Sequence, residues 1–124
     1  SWPYTIEDTP CSNFFATGSD DVEYRESIYV GYRYYDSFGV SVRFPFGYGL
    51  SYTTFRYANL ELSSETYTGG KLRVSLDVTN TGYTAGAEIV ELYVENPPAN
   101  YLRAKKELKG FQKITLAPGE TRHI

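Results

Sequence analysis

The feature that most constrains the fold is a two-residue alternation in the second half of the chain. Between residues 71 and 79 apolar and polar side chains alternate, and the apolar ones are Leu72, Val74, Leu76 and Val78. Successive side chains of a β-strand point to opposite faces, so the alternation predicts a strand with these four side chains turned inward. The pattern therefore favours a β-fold for this part of the chain.

Several other short segments after residue 53 are also predicted to be strands. They cover residues 55–62, a run whose inward face carries Val90, Leu92 and Val94, residues 108–116 and residues 121–124. Pro118 and Gly119 occupy the two central positions of a predicted type II turn. Short strands separated by turns at intervals of about 8–12 residues are typical of a β-sandwich, which is the fold we expect here.

The first 52 residues have a different character. Residues 1–21 contain prolines and glycines that break any period, so they are predicted to be irregular. Residues 22–42 are rich in tyrosine and β-prone, and they predict a hairpin that turns at residues 36–39. Residues 44–52 combine Gly and Pro with aromatic side chains and are predicted to form a fixed, buried connector. No helix is predicted.

Composition and charge exclude several classes of protein. Hydrophobic residues make up 41% of the chain, and no apolar run approaches the roughly 18 residues of a membrane-spanning helix. The net charge of −3 gives no reason to expect binding to nucleic acid or to an anionic membrane. The first residue is serine, which suggests that the chain begins inside a longer reading frame.

Cysteine and histidine each occur once, at Cys11 and His123. One thiol and one imidazole build neither a nucleophile–base pair nor a zinc site without carboxylates or a second chain. We therefore assign neither residue a chemical role and expect no metal. A single unpaired cysteine is compatible with the cytosol, which slightly favours a cytoplasmic over a secreted protein.

Carboxylates and aromatic rings are the remaining candidates for chemistry. Four acids, Asp20, Asp21, Glu23 and Glu26, are predicted to form a solvated edge. Asp36 is interpreted either as the cap of a turn or as a functional acid. Eight of the thirteen tyrosines lie between residues 24 and 57. These rings, with the neighbouring phenylalanines, would pack at a domain interface or stack on sugar rings.

Two long motifs carry a resemblance to a known family. Residues 24–36 read Tyr-Arg-Glu-Ser-Ile-Tyr-Val-Gly-Tyr-Arg-Tyr-Tyr-Asp, and residues 44–55 read Phe-Pro-Phe-Gly-Tyr-Gly-Leu-Ser-Tyr-Thr-Thr-Phe. Shorter motifs follow in order at residues 78–82, 91–94, 107–111 and 118–120. Together they resemble the C-terminal region of glycoside hydrolase family 3, the β-glucosidase family. One departure is Ser27, which stands where the family commonly has glycine.

The resemblance implies a division of the chain into two parts. Residues 1–52 would be the tail of the family's α/β sandwich domain, and residues 53–124 would be a fibronectin type III-like β-sandwich that lacks its C-terminal strands. Neither catalytic motif of the family is matched, so no catalytic residue is assigned. The family needs no cofactor, and none is expected here.

The function implied is therefore that of a non-catalytic C-terminal fragment which supports the catalytic domains of a retaining β-glucosidase. Candidates for lining or supporting the substrate cleft are Tyr34, Tyr35, Asp36, Phe46 and Tyr48. The partners expected are the remaining catalytic domains, with β-glucosides or oligosaccharides as ligands. An autonomous carbohydrate-binding module and a homo-oligomer formed through an open sheet edge are the alternatives.

Overall fold

The computed structural model describes residues 1–15, 18 and 21–124, and it is mostly β. The strands are β1 (Trp2–Pro3), β2 (Val42–Phe44), β3 (Phe55–Leu62), β4 (Val74–Asn80), β5 (Gly86–Glu95), β6 (Lys106–Leu116) and β7 (Thr121–His123). A short 3₁₀ helix covers Ile6–Asp8, and the helix α1 covers Tyr32–Phe38. In the described part of the chain no helix is both long and apolar enough to cross a membrane.

The chain divides into two compact units. The first consists of Ser1–Gly49 and Glu91–Phe111, and the second of Leu50–Val90 and Gln112–Ile124. Within the sheets, β1 pairs with β2, β5 pairs with β6, and β3, β4 and β7 form an antiparallel sheet in the order β3-β4-β7.

The second unit contains the hydrophobic core. Val78, Val90, Ile114 and Leu116 are buried together, and Phe55, Leu76 and Ile124 pack against them. The inward face predicted for β4 is therefore confirmed at Leu76 and Val78. It is wrong at Leu72, which precedes the strand and is exposed, and the inward face predicted for β5 is wrong at Val94, which is also exposed.

Two sequence predictions for the second unit are confirmed, the bounds of β3 and the turn before β7. Strand β3 has the predicted bounds, and its register with β4 shifts between Ala58 and Glu61, where Asn59 has a φ of 52°. The predicted turn before β7 is present: the Glu120 N–H donates to the Ala117 carbonyl at 3.0 Å, and Gly119 has a φ of 74°. Only a residue that tolerates positive φ fits the second central position of a type II turn.

The predicted hairpin over residues 22–42 is wrong, because α1 occupies its middle. Gly39 takes the left-handed conformation with a φ of 65°, and the Gly39 and Val40 N–H groups both donate to the Tyr35 carbonyl. This is the geometry with which glycine ends a helix, whereas we interpreted Gly39 as part of a hairpin turn. The ring of Tyr35 is buried, so packing rather than strand propensity decides the conformation of this tyrosine-rich run.

The prediction of a buried connector is also wrong for this chain. Phe44, Phe46 and Tyr48 are each between 40% and 54% exposed, and Leu50 and Tyr52 are almost fully exposed. Glycine and proline do give the segment its turns, and Gly47 has a φ of 78°. Burial, however, needs a covering surface, and the described residues cover these side chains only in part.

Ser27, which stands where the family motif commonly has glycine, has a φ of 52° in a turn where the Tyr29 N–H donates to the Glu26 carbonyl. Left-handed backbone costs a residue with a β-carbon about 1 kcal/mol or more, a cost that glycine avoids. We expect Ser27→Gly to raise the free energy of unfolding by about 0.5–1 kcal/mol in urea titrations.

The matched control for this substitution is Ser41→Gly. Ser41 is exposed and is not among the residues with positive φ. Glycine there should only add freedom to the unfolded chain and lower stability by about 0.5–1 kcal/mol. A loss of stability in both variants would contradict the strain assigned to Ser27.

Candidate functional site

Three of the five residues predicted for the site lie on α1. The Asp36 carboxylate forms an ion pair with Lys106 of β6, with 3.0 Å between Oδ2 and Nζ. Tyr35 is buried, and the ring of Tyr34 packs edge-on against it with centroids 5.2 Å apart. Asp36 is thus neither a turn cap nor a free acid, and its charge is balanced by a lysine.

Three hydrogen bonds join α1 and the residues before it to the start of β6. The Leu108 N–H donates to the Tyr32 hydroxyl at 2.9 Å, and the Lys105 N–H donates to Ser37 Oγ at 2.9 Å. The Tyr29 hydroxyl donates to the Arg103 carbonyl at 3.3 Å. These three hydrogen bonds use backbone groups of β6 and of the loop before it, and the ion pair of Asp36 uses a side chain of β6. Together they hold the helix in place.

Phe46, the fourth predicted residue, belongs to an aromatic stack that reaches α1 and β5. The Tyr32 ring lies 5.4 Å from Phe46 and 5.5 Å from Tyr93, centroid to centroid, and the Lys106 ammonium lies 5.0 Å from the centre of the Tyr93 ring. Such contacts add about 0.5–1.5 kcal/mol each beyond the area that they bury. The stack ties the segment after β2 to the same side chains that hold α1.

A second acid lies beside this stack. The Tyr93 hydroxyl donates to Glu91 Oε2 at 2.7 Å, and desolvation, reinforced by that carboxylate, raises the pKa of the Tyr93 phenol. The Glu91 carboxylate also lies against Gly47, where an added β-carbon would be 2.5 Å from Oε2. The positive φ of Gly47 favours glycine, and an added β-carbon would also require the end of the Glu91 side chain to move.

Tyr48, the fifth predicted residue, is on the open side of the segment. Its ring packs against Phe44 with centroids 4.8 Å apart, and β1 places Trp2 opposite Phe44. These exposed rings line a shallow depression on the first unit. We call Trp2, Phe44, Phe46 and Tyr48 the aromatic surface.

The other chemistry-bearing residues do not assemble into a reactive centre. Within residues 1–15, 18 and 21–124 no three potential metal ligands come together. Glu23 forms an ion pair with Arg25, and His123 Nδ1 lies 2.8 Å from Asp77 Oδ1. Asp20, one of the acids of the predicted solvated edge, lies outside the described residues.

Sequence reasoning missed three residues that lie beside the predicted ones, Glu91, Tyr93 and Lys106. The alternation of β5 assigned Leu92 and Val94 to the inward face, and it left the face with Glu91 and Tyr93 without a role. Lys106 was one of several basic residues in a row. The signal that could have identified them is Tyr93, an aromatic residue on the face of β5 opposite the predicted inward face. A large ring on that face indicates that the face is also covered.

The hydrogen bond between Tyr32 and β6 gives a direct test of how α1 is held. Tyr32→Phe keeps the ring stack and removes only the acceptor of the half-buried Leu108 N–H. We expect a loss of about 1 kcal/mol, which accelerates exchange of the Leu108 amide about fivefold. Tyr83→Phe, at a fully exposed tyrosine, is the control and should leave that amide unchanged. Equal rates in all three proteins would show that the hydroxyl does not hold the helix.

Comparisons with known proteins agree with this architecture. Residues 88–124 match the model of the fibronectin type III-like domain. The whole chain is 46% identical to the β-glucosidase of Kluyveromyces marxianus and 42% identical to the thermostable β-glucosidase B of Acetivibrio thermocellus. It spans only 14% and 17% of the lengths of these two relatives.

Solved structures show the same similarity. The chain superimposes over its full length on the GH3 β-glucosidase of Bifidobacterium adolescentis with a TM-score of 0.90 and 39% identity, and it covers 18% of that chain. With β-glucosidase 3B of Thermotoga neapolitana in complex with glucose the TM-score is 0.87 at 42% identity, over 98% of this chain and 17% of the other. The match extends over the whole chain in both sequence and structure: the chain corresponds to the C-terminal region of glycoside hydrolase family 3 β-glucosidases, which includes their fibronectin type III-like domain.

Proposed function

We propose that this chain is a non-catalytic supporting region of a β-glucosidase, acting in carbohydrate degradation by holding the catalytic domains in place. The observation that carries the proposal is the match itself, which covers the whole chain but only 14–17% of the curated relatives' length. In this proposal the parent enzyme is a retaining hydrolase, and its carboxylate pair lies in segments that precede residue 1.

The aromatic surface supplies the contact with the catalytic domains. Trp2, Phe46 and Tyr48 are 68%, 46% and 54% exposed. No charged side chain lines the depression between them, and the Arg43 guanidinium lies at its edge, 5.8 Å from the centre of the Phe44 ring. Surfaces that stay buried permanently are more apolar than the rest of a protein and are depleted of charge at their centre. The chemistry of the aromatic surface is that of such an interface.

The predicted site residues have two roles in this proposal: some hold α1 in place, and the others contact the catalytic domains. Tyr34, Tyr35 and Asp36 brace α1 through packing and the ion pair with Lys106. Phe46 and Tyr48 lie on the aromatic surface and face the catalytic domains. Residues 1–52 then continue the α/β sandwich domain, residues 53–124 form the fibronectin type III-like module, and the contacts between α1 and β6 join the two.

Hydrolysis assays test this assignment directly. We expect the full-length protein to release p-nitrophenol from p-nitrophenyl β-D-glucoside and the chain of residues 1–124 to release none. Release in proportion to the amount of pure 124-residue chain would contradict a supporting role. The alternative is self-association of the chain through the edges of the β3-β4-β7 sheet. Light scattering that gives the molar mass of a single 124-residue chain would exclude it.

A further inference from the structure

The residues that lead into α1 display apolar side chains to solvent. Residues 22–30 contain neither a strand nor a helix, and we call them the pre-helix segment. Four of their apolar side chains are between 41% and 82% exposed, those of Val22, Tyr24, Ile28 and Val30. Apolar side chains concentrated at a surface mark sites of contact with another surface.

The pre-helix segment is held in place on the first unit by Tyr29. The Tyr29 N–H donates to the Glu26 carbonyl at 2.9 Å and closes a turn. The Tyr29 hydroxyl donates to the Arg103 carbonyl, and the Tyr29 ring packs edge-on against Phe38 with centroids 5.0 Å apart. A segment that is already ordered loses little conformational entropy when it contacts a partner.

Glu26, in the middle of this segment, has a carboxylate oxygen that is shielded from solvent and has no partner. No described residue donates a hydrogen bond to Glu26 Oε2. Glu26 thus departs from the solvated edge predicted for the acids of this region, whereas the Glu23 side chain is 60% exposed. Shielded polar atoms are almost always paired, because a shielded charge without a partner is costly.

The basic residues of the chain do not neutralise this carboxylate. Glu26 forms no ion pair with any residue that the structure describes. The neighbouring Arg25 forms an ion pair with Glu23 instead, and its guanidinium lies 5.2 Å from the centre of the Phe14 ring. A partner for Glu26 would therefore come from another part of the protein, and the chain spans only 14–17% of the length of its curated relatives.

A carboxylate among apolar side chains favours a positively charged partner. Hydrogen bonds from a cation to a carboxylate are about twice as strong as those between neutral groups. They are stronger still where apolar side chains exclude water. The exposed ring of Tyr24 also suits a cation, because guanidinium and ammonium groups are attracted to aromatic faces.

We propose that the pre-helix segment is a contact with the catalytic domains, in which an arginine or lysine of those domains pairs with the Glu26 carboxylate. The exposed apolar side chains of the segment surround this ion pair and exclude water from it. The inference rests on the supporting role proposed above. It adds to the uncharged aromatic surface a second contact that has a charged centre.

Hydrogen exchange of the full-length protein, read in peptides that cover residues 22–30, tests the proposal with two substitutions. Glu26→Gln keeps an oxygen that accepts a hydrogen bond but removes the charge, and Glu26→Ala removes both. If a basic side chain pairs with Glu26, exchange should be about tenfold faster in both variants. Glu23→Gln is the matched control, because it makes the same change in the same segment at an exposed ion pair. It should alter exchange less than about twofold.

Two results would overturn the proposal. One is exchange in Glu26→Gln that is no faster than in the wild-type protein, because an uncharged donor, a water molecule or no partner at all would then account for Glu26. The other is equal acceleration in Glu26→Gln and Glu23→Gln, which would mean that the loss of either acid opens the segment. Unchanged exchange in β4 shows that each variant is folded.

The oxidation of Tyr48 by hydroxyl radicals separates this inference from the supporting role on which it rests. Slow oxidation of Tyr48 in the full-length protein, together with unchanged exchange in Glu26→Gln, would remove only the contact at Glu26 and leave the supporting role in place. Oxidation of Tyr48 as fast as that of the fully exposed Tyr83 would contradict the supporting role itself, and with it the contact proposed at Glu26.

Discussion

Replacing Asn80 by alanine is expected to destabilise the second unit by about 3 kcal/mol, because several buried polar groups would lose their partners at once. Asn80 is fully buried. Its side-chain amide donates to the carbonyls of Thr84 and Leu116 at 2.9 and 3.1 Å. Its side-chain oxygen accepts from the Thr53 hydroxyl at 2.6 Å and from the Gly82 N–H at 3.0 Å.

The loss is measured by hydrogen exchange of the amides in β4 and β6. About 3 kcal/mol corresponds to exchange about a hundredfold faster when these amides exchange through opening of the whole unit. Asn100→Ala is the control, since Asn100 is exposed in the loop before β6. If Asn80→Ala exchanged no faster than Asn100→Ala, Asn80 would not be the polar centre of the second unit.

Leu116→Ala is expected to have an effect of similar size through a different mechanism. Leu116 is fully buried in the core with Val78 and Ile114. Truncation removes buried methyl groups and leaves a cavity, which costs about 2–5 kcal/mol when the surroundings do not collapse. The free energy of unfolding in urea should fall by that amount.

Leu60→Ala provides the comparison for this change, since Leu60 is 66% exposed in β3. It removes the same atoms from a site that buries little, so we expect a loss below about 1 kcal/mol. Similar losses at Leu60 and Leu116 would place the core of the second unit elsewhere.

The strands of the second unit could be predicted because a pattern within each segment indicates that segment. The alternation before Asn80 and the Pro118-Gly119 turn are local signals, and both are present in the structure. Asn80 itself carried no such signal, because its partners come from residues 53, 82, 84 and 116. A buried polar network of this kind is a property of the fold and not of one segment.

Helix α1 was missed for a related reason. A seven-residue helix has too few turns to show a period, and tyrosine favours strands in isolation. The decisive contacts of α1 come from β6, about 70 residues further along the chain, through Lys106 and Leu108. The sequence alone could identify Asp36 as a candidate functional acid, but it could not show that Asp36 pairs with Lys106.

The family assignment, in contrast, was accessible from the residues themselves, because two long motifs occur in the right order. Those motifs include residues 44–48, whose aromatic side chains lie exposed in the structure. Exposed aromatic side chains that lie together in this way are typical of a surface that meets another one. This observation connects the family assignment to the supporting role.

Oxidation of tyrosines by hydroxyl radicals in the full-length protein tests that role most directly. Tyr48 belongs to the aromatic surface, whereas Tyr83 is fully exposed and lies outside it, so the same type of side chain serves as probe and control. If the catalytic domains cover the aromatic surface, Tyr48 will be oxidised far more slowly than Tyr83. Similar rates at the two tyrosines would contradict the supporting role.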